Sequence, residues 1–157
     1  MLEKDFKYKS IADEDSKFEI VESIISKLPK WFDEKGRKDY PKAAKRQRVI
    51  VAFNEGVAVG FIALQDNNEY TSNIYSFGIL EKYHRNGIGR MLINKAETYL
   101  RELGFRFLMV KTLSSSSDYE PYKRTRTFYK EIGFYPLEEN KEIWGPENPC
   151  LTMIKNI

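Results

Sequence analysis

Apolar residues recur at three- and four-residue spacing in two segments of the chain, and this period predicts amphipathic helices. The first segment runs from Asp13 to Leu28 and is followed by Pro29, which helps to end a helix. Its apolar stripe consists of Phe18, Val21, Ile24, Ile25 and Leu28. The second segment runs from Ile88 to Leu103, and Gly104 fits a C-terminal cap. Its stripe consists of Ile88, Leu92, Ala96, Tyr99 and Leu103.

Runs rich in β-branched and aromatic residues predict the strands. Residues 6–12 form a short first strand, and RVIVAFNEGVAVGFIALQ reads as a hairpin that turns at Asn54-Glu55-Gly56. Tyr70 to Leu80 continues the meander as a third strand. The remaining apolar runs are the strands FRFLMVKTL (105–113), FYPLEE and CLTMIK. A short helix, TRTFYKEI, is predicted to end at Gly133.

In two segments the apolar residues show no regular spacing. The polar segment WFDEKGRKDYPKAAKRQR, which begins at Trp31, reads as an irregular binding loop or lid. The stretch SSSSDYEPYK reads as a second loop, before the short helix.

The order of these elements predicts the fold class. A strand–helix–strand unit from Tyr70 to Leu113 implies a right-handed parallel crossover, whereas the hairpin is antiparallel. The sheet should therefore be mixed and mostly antiparallel, flanked by helices, in an α/β (α+β) domain. With 157 residues and no visible linker, residues 1–157 are expected to form a single domain.

Composition narrows the function classes. Apolar residues make up 41% and charged residues 31%, and the net charge of +3 does not by itself imply a polyanionic partner. Cys150 is the single cysteine, so no internal disulfide forms, and with one histidine a metal site has little support. No apolar run reaches the roughly 20 residues of a membrane span, and the N-terminus lacks a signal-peptide core. We expect a cytoplasmic protein with no membrane or nucleic-acid partner.

The turn HRNGIGR, His84 to Arg90, lies between a predicted strand and a predicted helix. Glycines at a helix N-terminus let a ligand approach unpaired N–H groups, so the turn could hold a phosphate, with Arg85 and Arg90 adding charge. An ordinary tight turn explains the glycines equally well. The nucleotide-triphosphate loop pattern is absent, and the third glycine of a dinucleotide-binding turn is missing.

HRNGIG resembles the signature [Q/R]-x-x-G-x-[G/A] of the GNAT superfamily of acetyl-coenzyme A-dependent N-acetyltransferases, with His84 in place of Gln or Arg. The apolar strand end FGIL before it also fits. A second similarity is TRTFYKEIGFYPLEE, where Tyr129 lies four residues before Gly133-Phe134 and Tyr122 stands where the family often has Asn. WGPENPCLTMIK resembles a subgroup of these proteins. The resemblance covers roughly residues 45–155.

The resemblance implies a GNAT-like domain that transfers an acetyl group from acetyl-coenzyme A to a primary amine, with no metal. It implies that the coenzyme is held by Phe77, Ile79, Arg85, Asn86, Gly87, Ile88, Gly89 and Arg90. Backbone N–H groups of the turn would hold the pyrophosphate. Phe77 to Ile79 would pair with the pantetheine arm, which needs a gap before the strand that begins near Phe105. Tyr129 matches the family's general acid, and the N–H of Ile79 would polarise the acetyl carbonyl.

Several roles stay open at this point. Trp31, Phe32 and Tyr40 could line the acceptor pocket or pin their loop onto the core. The general base is unassigned, and His84, Glu81 and a water chain are its candidates. The cluster at Lys42–Arg48 favours a solvated face over a nucleic-acid site. A second basic set could contact the 3′-phosphate of coenzyme A or be solvated, and consists of Lys123, Arg124, Arg126 and Lys130.

The alternative function is a non-catalytic acyl-coenzyme A binding or sensing module, and Tyr129 favours the enzyme. The acceptor would be a small-molecule or peptide amine, and the protein a monomer or homodimer. We expect Cys150 to be a buried structural thiol.

Overall fold

The computed structural model describes residues 5–114 and 119–157. Its four helices are α1 (Glu14–Ile25), α2 (Glu34–Ala44), α3 (Ile88–Glu102) and α4 (Glu120–Glu131). Its seven strands are β1 (Lys7–Ile11), β2 (Arg48–Asn54), β3 (Val57–Asp66), β4 (Thr71–Ile79), β5 (Phe107–Leu113), β6 (Tyr135–Asn140) and β7 (Cys150–Asn156). The strands form one sheet in the order β1-β2-β3-β4-β5-β7-β6.

The sheet is mixed and mostly antiparallel, as the sequence predicts. β4 and β5 are the parallel pair, with a ladder that runs from Thr71 opposite Phe107 to Ile74 opposite Val110. The pairs β1–β2, β2–β3, β5–β7 and β6–β7 are antiparallel. The predicted crossover through α3 is therefore confirmed.

The chain divides into two compact units, and the first comprises residues through Gln65 together with Tyr75–Tyr99. Its core joins one stripe of α1, including Ile24, and Leu28 just after the helix to one face of β2 and β3, including Val51 and Phe61. The opposite faces of these two strands are buried as well, as Ile62 shows. This double burial explains why the hairpin reads as a nearly continuous apolar run rather than an alternating one.

The second unit comprises Asp66–Ile74 and the described residues from Leu100 onward. β7 pairs with all of β5 on one side and with β6 on the other. Leu108, Met153 and Phe134 are almost fully buried here. β6 is an edge strand whose residues are largely exposed, with Tyr135 72% and Leu137 59% exposed.

The prediction of an irregular loop after Trp31 is wrong, because this segment contains α2. The side chain of Asp33 caps the helix by accepting a hydrogen bond from the N–H of Gly36 at 2.7 Å. The helix also contains Pro41, which lacks the N–H that would bond four residues back. A helix is disfavoured here by Gly36, by Pro41 and by the high charge of the segment. Packing of the buried Pro41 and Ala44 on the core therefore stabilises α2.

Two boundaries also differ from the sequence prediction. α4 begins at Glu120, five residues before the predicted TRTFYKEI, with Pro121 in its first turn, where a proline is tolerated. Residues 115–118 of the predicted loop, like residues 1–4, lie outside the described residues. Leu103, placed on the buried stripe of α3, is 50% exposed because it follows the end of the helix. Gly104 has φ +93, which fits its predicted capping role.

Candidate active site

A short 3-10 turn, Glu81–Tyr83, links β4 to the predicted phosphate-binding turn. Tyr83 anchors it, since its buried ring makes an edge contact with Phe6 at 5.9 Å between centroids. The phenolic oxygen of Tyr83 accepts a hydrogen bond from Asn54 Nδ2 at 3.0 Å. The residues that follow therefore start from a fixed point on the core.

The backbone of the next residues has an unusual shape. Arg85 has φ +65 and Gly87 has φ +77, both in the left-handed region. Left-handed arginine is uncommon and strained, and such residues concentrate at binding sites. Asn86 supports the turn by donating from Nδ2 to the carbonyl oxygens of Tyr83 and His84, at 3.0 and 3.1 Å. A Cβ at Gly87 would meet no atom within 4 Å, so the space beside its Cα is open.

Helix α3 begins directly after this turn. Its first helical hydrogen bond runs from the N–H of Met91 to the carbonyl oxygen of Gly87 at 3.0 Å. The N–H groups of Ile88, Gly89 and Arg90 precede that bond and lie at the positive end of the helix. Ile88 is buried and fixes the helix start, whereas Arg85 and Arg90 are exposed. Backbone donors and cations thus surround one open turn, an arrangement that suits an anion.

The end of β4 lies beside the turn. Leu80 donates its N–H to the carbonyl oxygen of Val59 on β3 at 2.9 Å. Because successive N–H groups of a strand point to opposite edges, the N–H of Ile79 points away from β3, and so does that of Phe77. Phe77 and Ile79 are both half-buried. Their backbone donors are thus aimed at the edge where the resemblance expects the pantetheine arm.

The aromatic residues after α1 pack on the core of the first unit. Trp31, Phe32 and Tyr40 are half-buried against it, which is the structural role that the sequence left open. Tyr40 makes edge contacts with Phe32 and with Tyr75 of β4, each at 5.6 Å between centroids. Burial raises the pKa of Tyr40, and the neighbouring Tyr75 and the carboxylate of Asp33 raise it further.

Sequence reasoning missed Tyr75, which extends this aromatic group onto β4 and is 38% exposed. A large aromatic residue at a strand position that alternates with buried Ile74 and Ser76 was the available signal. Tyr75 could therefore contact a ligand beside β4.

Both side-chain candidates for a general base have partners. Glu81 forms an ion pair with Lys30 at 3.3 Å, exposed on both sides. His84 Nε2 lies 2.7 Å from the carbonyl oxygen of Ile79, and the imidazole makes an edge contact with Trp31 at 5.6 Å between centroids. The Lys30–Glu81 ion pair and the Trp31–His84 ring contact both join the segment after α1 to the residues that follow β4.

Tyr129 lies on α4 in the second unit and is almost fully buried, with 3% exposure. Its ring packs edge-on against Phe134 at 5.3 Å and Phe128 at 5.5 Å between centroids. Burial raises the pKa of Tyr129 above its usual range, with a smaller contribution from Tyr122. The phenol therefore releases its proton less readily than an ordinary tyrosine side chain.

The second basic set does not behave as one group. Lys123, Arg124 and Lys130 are exposed, as expected of solvated charges. Arg126 is 7% exposed and donates from Nη1 to the carbonyl oxygens of Leu113 at 2.7 Å and Ser114 at 3.1 Å. The prediction that Arg126 is a solvated or phosphate-binding charge is therefore wrong, because this side chain caps the end of β5.

The first basic cluster is only partly a solvated face. Lys42 and Arg46 are exposed, whereas Lys45 pairs with Asp15 at 3.5 Å. Arg48 lies over the ring of Tyr99 at 5.8 Å. Half of the cluster thus serves packing and pairing within the first unit.

Cys150 is fully buried, as expected, and burial raises its pKa. Within residues 5–114 and 119–157, no helix is long and apolar enough to cross a membrane. In the same ranges, no three His, Cys, Asp or Glu side chains are grouped as metal ligands.

Comparisons with known proteins point to one family. Residues 16–134 match the model of the acetyltransferase (GNAT) family. An uncharacterized N-acetyltransferase of Chlorobaculum tepidum is 31% identical over 104 residues, which are 64% of this chain and 60% of that protein. This chain therefore spans less than two thirds of the length of that curated relative.

Solved structures share the fold at low identity. A protein of Desulfovibrio desulfuricans assigned to the GNAT family superposes with a TM-score of 0.83 at 16% identity, covering 97% of this chain and 99% of that one. The ribosomal-protein-S18-alanine N-acetyltransferase of Escherichia coli superposes with a TM-score of 0.76 at 15% identity, covering 98% and 94%. The family match covers most of the chain, including the glycine turn and Tyr129, and the chain belongs to the GNAT acetyltransferase family.

Proposed function

We propose that the protein is an N-acetyltransferase that moves the acetyl group of acetyl-coenzyme A to a primary amine by direct attack in a ternary complex. The observation that carries this proposal is the left-handed turn at Arg85 and Gly87, directly before the N-terminal N–H groups of α3. Membership of the GNAT family supplies the class of ligand that such a turn serves.

Coenzyme A would be held mainly by backbone groups. The N–H groups of Arg85, Gly87, Gly89 and Arg90 would bind the pyrophosphate, and both guanidinium groups would add charge-assisted hydrogen bonds. The side chain of Asn86 keeps the turn in shape through its two bonds to backbone carbonyls. The buried Ile88 holds the first turn of α3 in place.

The pantetheine arm would lie along β4 and pair with backbone groups of Phe77 and Ile79, as an added strand does. The N–H of Ile79 would then polarise the acetyl carbonyl and stabilise the oxyanion that forms when the amine attacks. Tyr129 would donate its proton to the departing thiolate, since a phenol is protonated at neutral pH and is a general acid in its neutral form. The proton of the amine would leave through water.

The acceptor would bind beside the aromatic group after α1. Trp31, Phe32 and Tyr40 would form one wall of its pocket, and Tyr75 would extend that wall along β4. Because edge-packed aromatic rings present apolar surface, the wall suits the carbon skeleton of an amine. Small-molecule and peptide amines both fit this description.

The test is calorimetric titration of acetyl-coenzyme A into the wild type, Gly87→Glu and Gly56→Glu. Gly56 is a matched control, since its φ of +79 and its empty surroundings equal those of Gly87, so both variants carry the same backbone strain. Glutamate at residue 87 should obstruct the turn and repel the pyrophosphate, whereas glutamate at residue 56 should not affect binding.

Binding by the wild type and Gly56→Glu, with at least a hundredfold weakening in folded Gly87→Glu, is the expected result. Failure of the folded wild type to bind acetyl-coenzyme A would overturn the proposal. Equally weakened binding of acetyl-coenzyme A in both variants would show that the turn is not the binding site. If the wild type binds, thiol release in a screen of polyamines, aminoglycosides and lysine peptides would test the transfer itself.

A further inference from the structure

The histidine that departs from the family signature makes a contact with the backbone of β4. His84 Nε2 lies 2.7 Å from the carbonyl oxygen of Ile79. A carbonyl oxygen can only accept a hydrogen bond, so Nε2 carries the proton and donates. Nε2 can donate in the neutral ring and in the imidazolium alike, so the contact does not depend on the charge of the ring.

The peptide group between Ile79 and Leu80 is therefore held at both of its ends. Its carbonyl oxygen accepts from His84, and its N–H, which belongs to Leu80, donates to Val59 at 2.9 Å. The C=O and N–H groups of a trans peptide point in opposite directions within one plane. Two bonds on opposite sides thus resist rotation of this plane.

The fixed peptide adjoins the donor that faces the proposed acyl site. In an extended residue the N–H and the C=O point to the same edge of the strand. The N–H of Ile79 hence faces the same edge as the carbonyl that His84 contacts. The N–H of Ile79 belongs to the preceding peptide, so His84 acts on it through the Cα that the two peptides share. Losing the bond to His84 would free the end of β4 to shift at Ile79 and carry this N–H out of line.

The imidazole is itself held in place. Its edge contact with Trp31 has a centroid distance of 5.6 Å and an interplanar angle of 68°. The nearby pair Lys30–Glu81 joins the same two segments but is exposed on both sides, so it contributes little to rigidity. Trp31 is therefore the better candidate for fixing the imidazole, and it belongs to the aromatic group assigned above to the acceptor side.

We propose that His84 is a positioning residue, held by Trp31, that fixes the peptide after Ile79 so that the N–H of Ile79 points at the carbonyl of a bound acetyl group. This inference rests on the proposed function, because it needs acetyl-coenzyme A beside β4. It also predicts that a side chain with an N–H donor of suitable reach can replace His84. Glutamine, which the family signature allows at this position, is such a side chain.

The test measures the stretching frequency of the acetyl carbonyl directly and needs no amine. Acetyl-coenzyme A labelled with heavy carbon at the carbonyl is bound to each variant, and difference infrared spectroscopy records the carbonyl stretch. Polarisation by the N–H of Ile79 lowers this frequency relative to the free thioester. The variants are His84→Ala, His84→Gln and Trp31→Leu, with Lys82→Ala as a control on the exposed neighbouring turn.

The expected result is a lowered frequency in the wild type, in Lys82→Ala and in His84→Gln. The shift should fall by at least half in His84→Ala and partly in Trp31→Leu. Calorimetric affinity for acetyl-coenzyme A should change less than about threefold in all of them, since the backbone donors of the turn remain. A structural role alone would change the melting temperature and leave the frequency shift intact.

Three results would overturn the inference. One is a wild type that binds acetyl-coenzyme A without a frequency shift. The second is a folded His84→Ala with the full wild-type shift, and the third is a folded His84→Gln that loses the shift as alanine does. Absence of acetyl-coenzyme A binding by the wild type is a different result, because it removes the proposed function together with the inference.

Discussion

The guanidinium of Arg126 donates from Nη1 to the carbonyl oxygen of Leu113 at 2.7 Å, at the point where β5 ends. The same nitrogen reaches the carbonyl oxygen of Ser114, whose hydroxyl donates to Glu139 at 2.7 Å. A buried cation thus closes the end of a strand and joins it to α4, the helix that also carries Tyr129.

Arg126→Met should lower the free energy of unfolding by about 2 kcal/mol. Methionine keeps most of the apolar stem but leaves two buried carbonyl groups without their charged donor, and bonds to charged groups are worth about 1.5–3 kcal/mol. Urea denaturation followed by circular dichroism measures the change. Arg124→Met, on the exposed side of the same helix, is the control and should stay within about 0.5 kcal/mol of wild type. Equal stability of the two variants would contradict the capping role of Arg126.

Asp33→Ala should destabilise the protein by about 1 kcal/mol, because α2 loses the side chain that caps the N–H of Gly36. Asp33→Asn keeps an oxygen acceptor and should lose no more than a few tenths of a kcal/mol. Thermal unfolding of the two variants checks the difference. Equal losses would mean that charge rather than capping is responsible.

Gly78→Ala should destabilise the first unit by about 1–3 kcal/mol through overpacking. A Cβ at this position would lie 3.0 Å from Leu28 Cδ1 and 3.2 Å from Phe61 Cε1, both buried in the core. Shortening Leu28 to valine should relieve part of the clash, so Gly78→Ala should cost less in Leu28→Val than in wild type. Additive free energies in this double-mutant cycle would show that the two residues do not compete for space.

Tyr129→Phe should lower kcat by about 10²–10⁴-fold while leaving acetyl-coenzyme A affinity nearly unchanged, if Tyr129 is the general acid. Phenylalanine keeps the packing against Phe134 and removes only the proton donor. Steady-state kinetics with an amine found in the screen measures the loss. Tyr135→Phe on the exposed edge strand controls for removal of a phenol elsewhere. A kcat of Tyr129→Phe within threefold of wild type would show that Tyr129 is not the general acid.

Tyr129 should also make stability fall at alkaline pH. Its folded pKa is raised by burial, so the native state keeps a proton that the unfolded chain releases above about pH 10. The unfolded state then binds fewer protons, and the free energy of unfolding decreases as pH rises above that value. Wild type should therefore lose more stability than Tyr129→Phe between about pH 9 and 11 in urea titrations. Parallel losses would contradict the raised pKa.

The apolar period of the chain predicted α1 and α3, because these helices bury one regular face, and runs of β-branched and aromatic residues predicted the strands. The spacing of Gly87 and Gly89 determined the position of the candidate phosphate turn, since that turn depends on local backbone freedom. α2 was hidden because Gly36 and Pro41 oppose a helix locally and only packing on the core stabilises it. Likewise, sequence spacing could not reveal which arginine is buried.

The contacts of the candidate site were decided by tertiary structure alone. His84 and Ile79 are five residues apart, but their hydrogen bond depends on the shape of the 3-10 turn between them. Trp31 and His84 lie far apart in the chain and meet only because α1 packs on the sheet. The sequence by itself determined the strands, the other three helices and the position of the glycine turn, through local propensity and period. The side chains that contact one another were decided by long-range packing, which has no local signature.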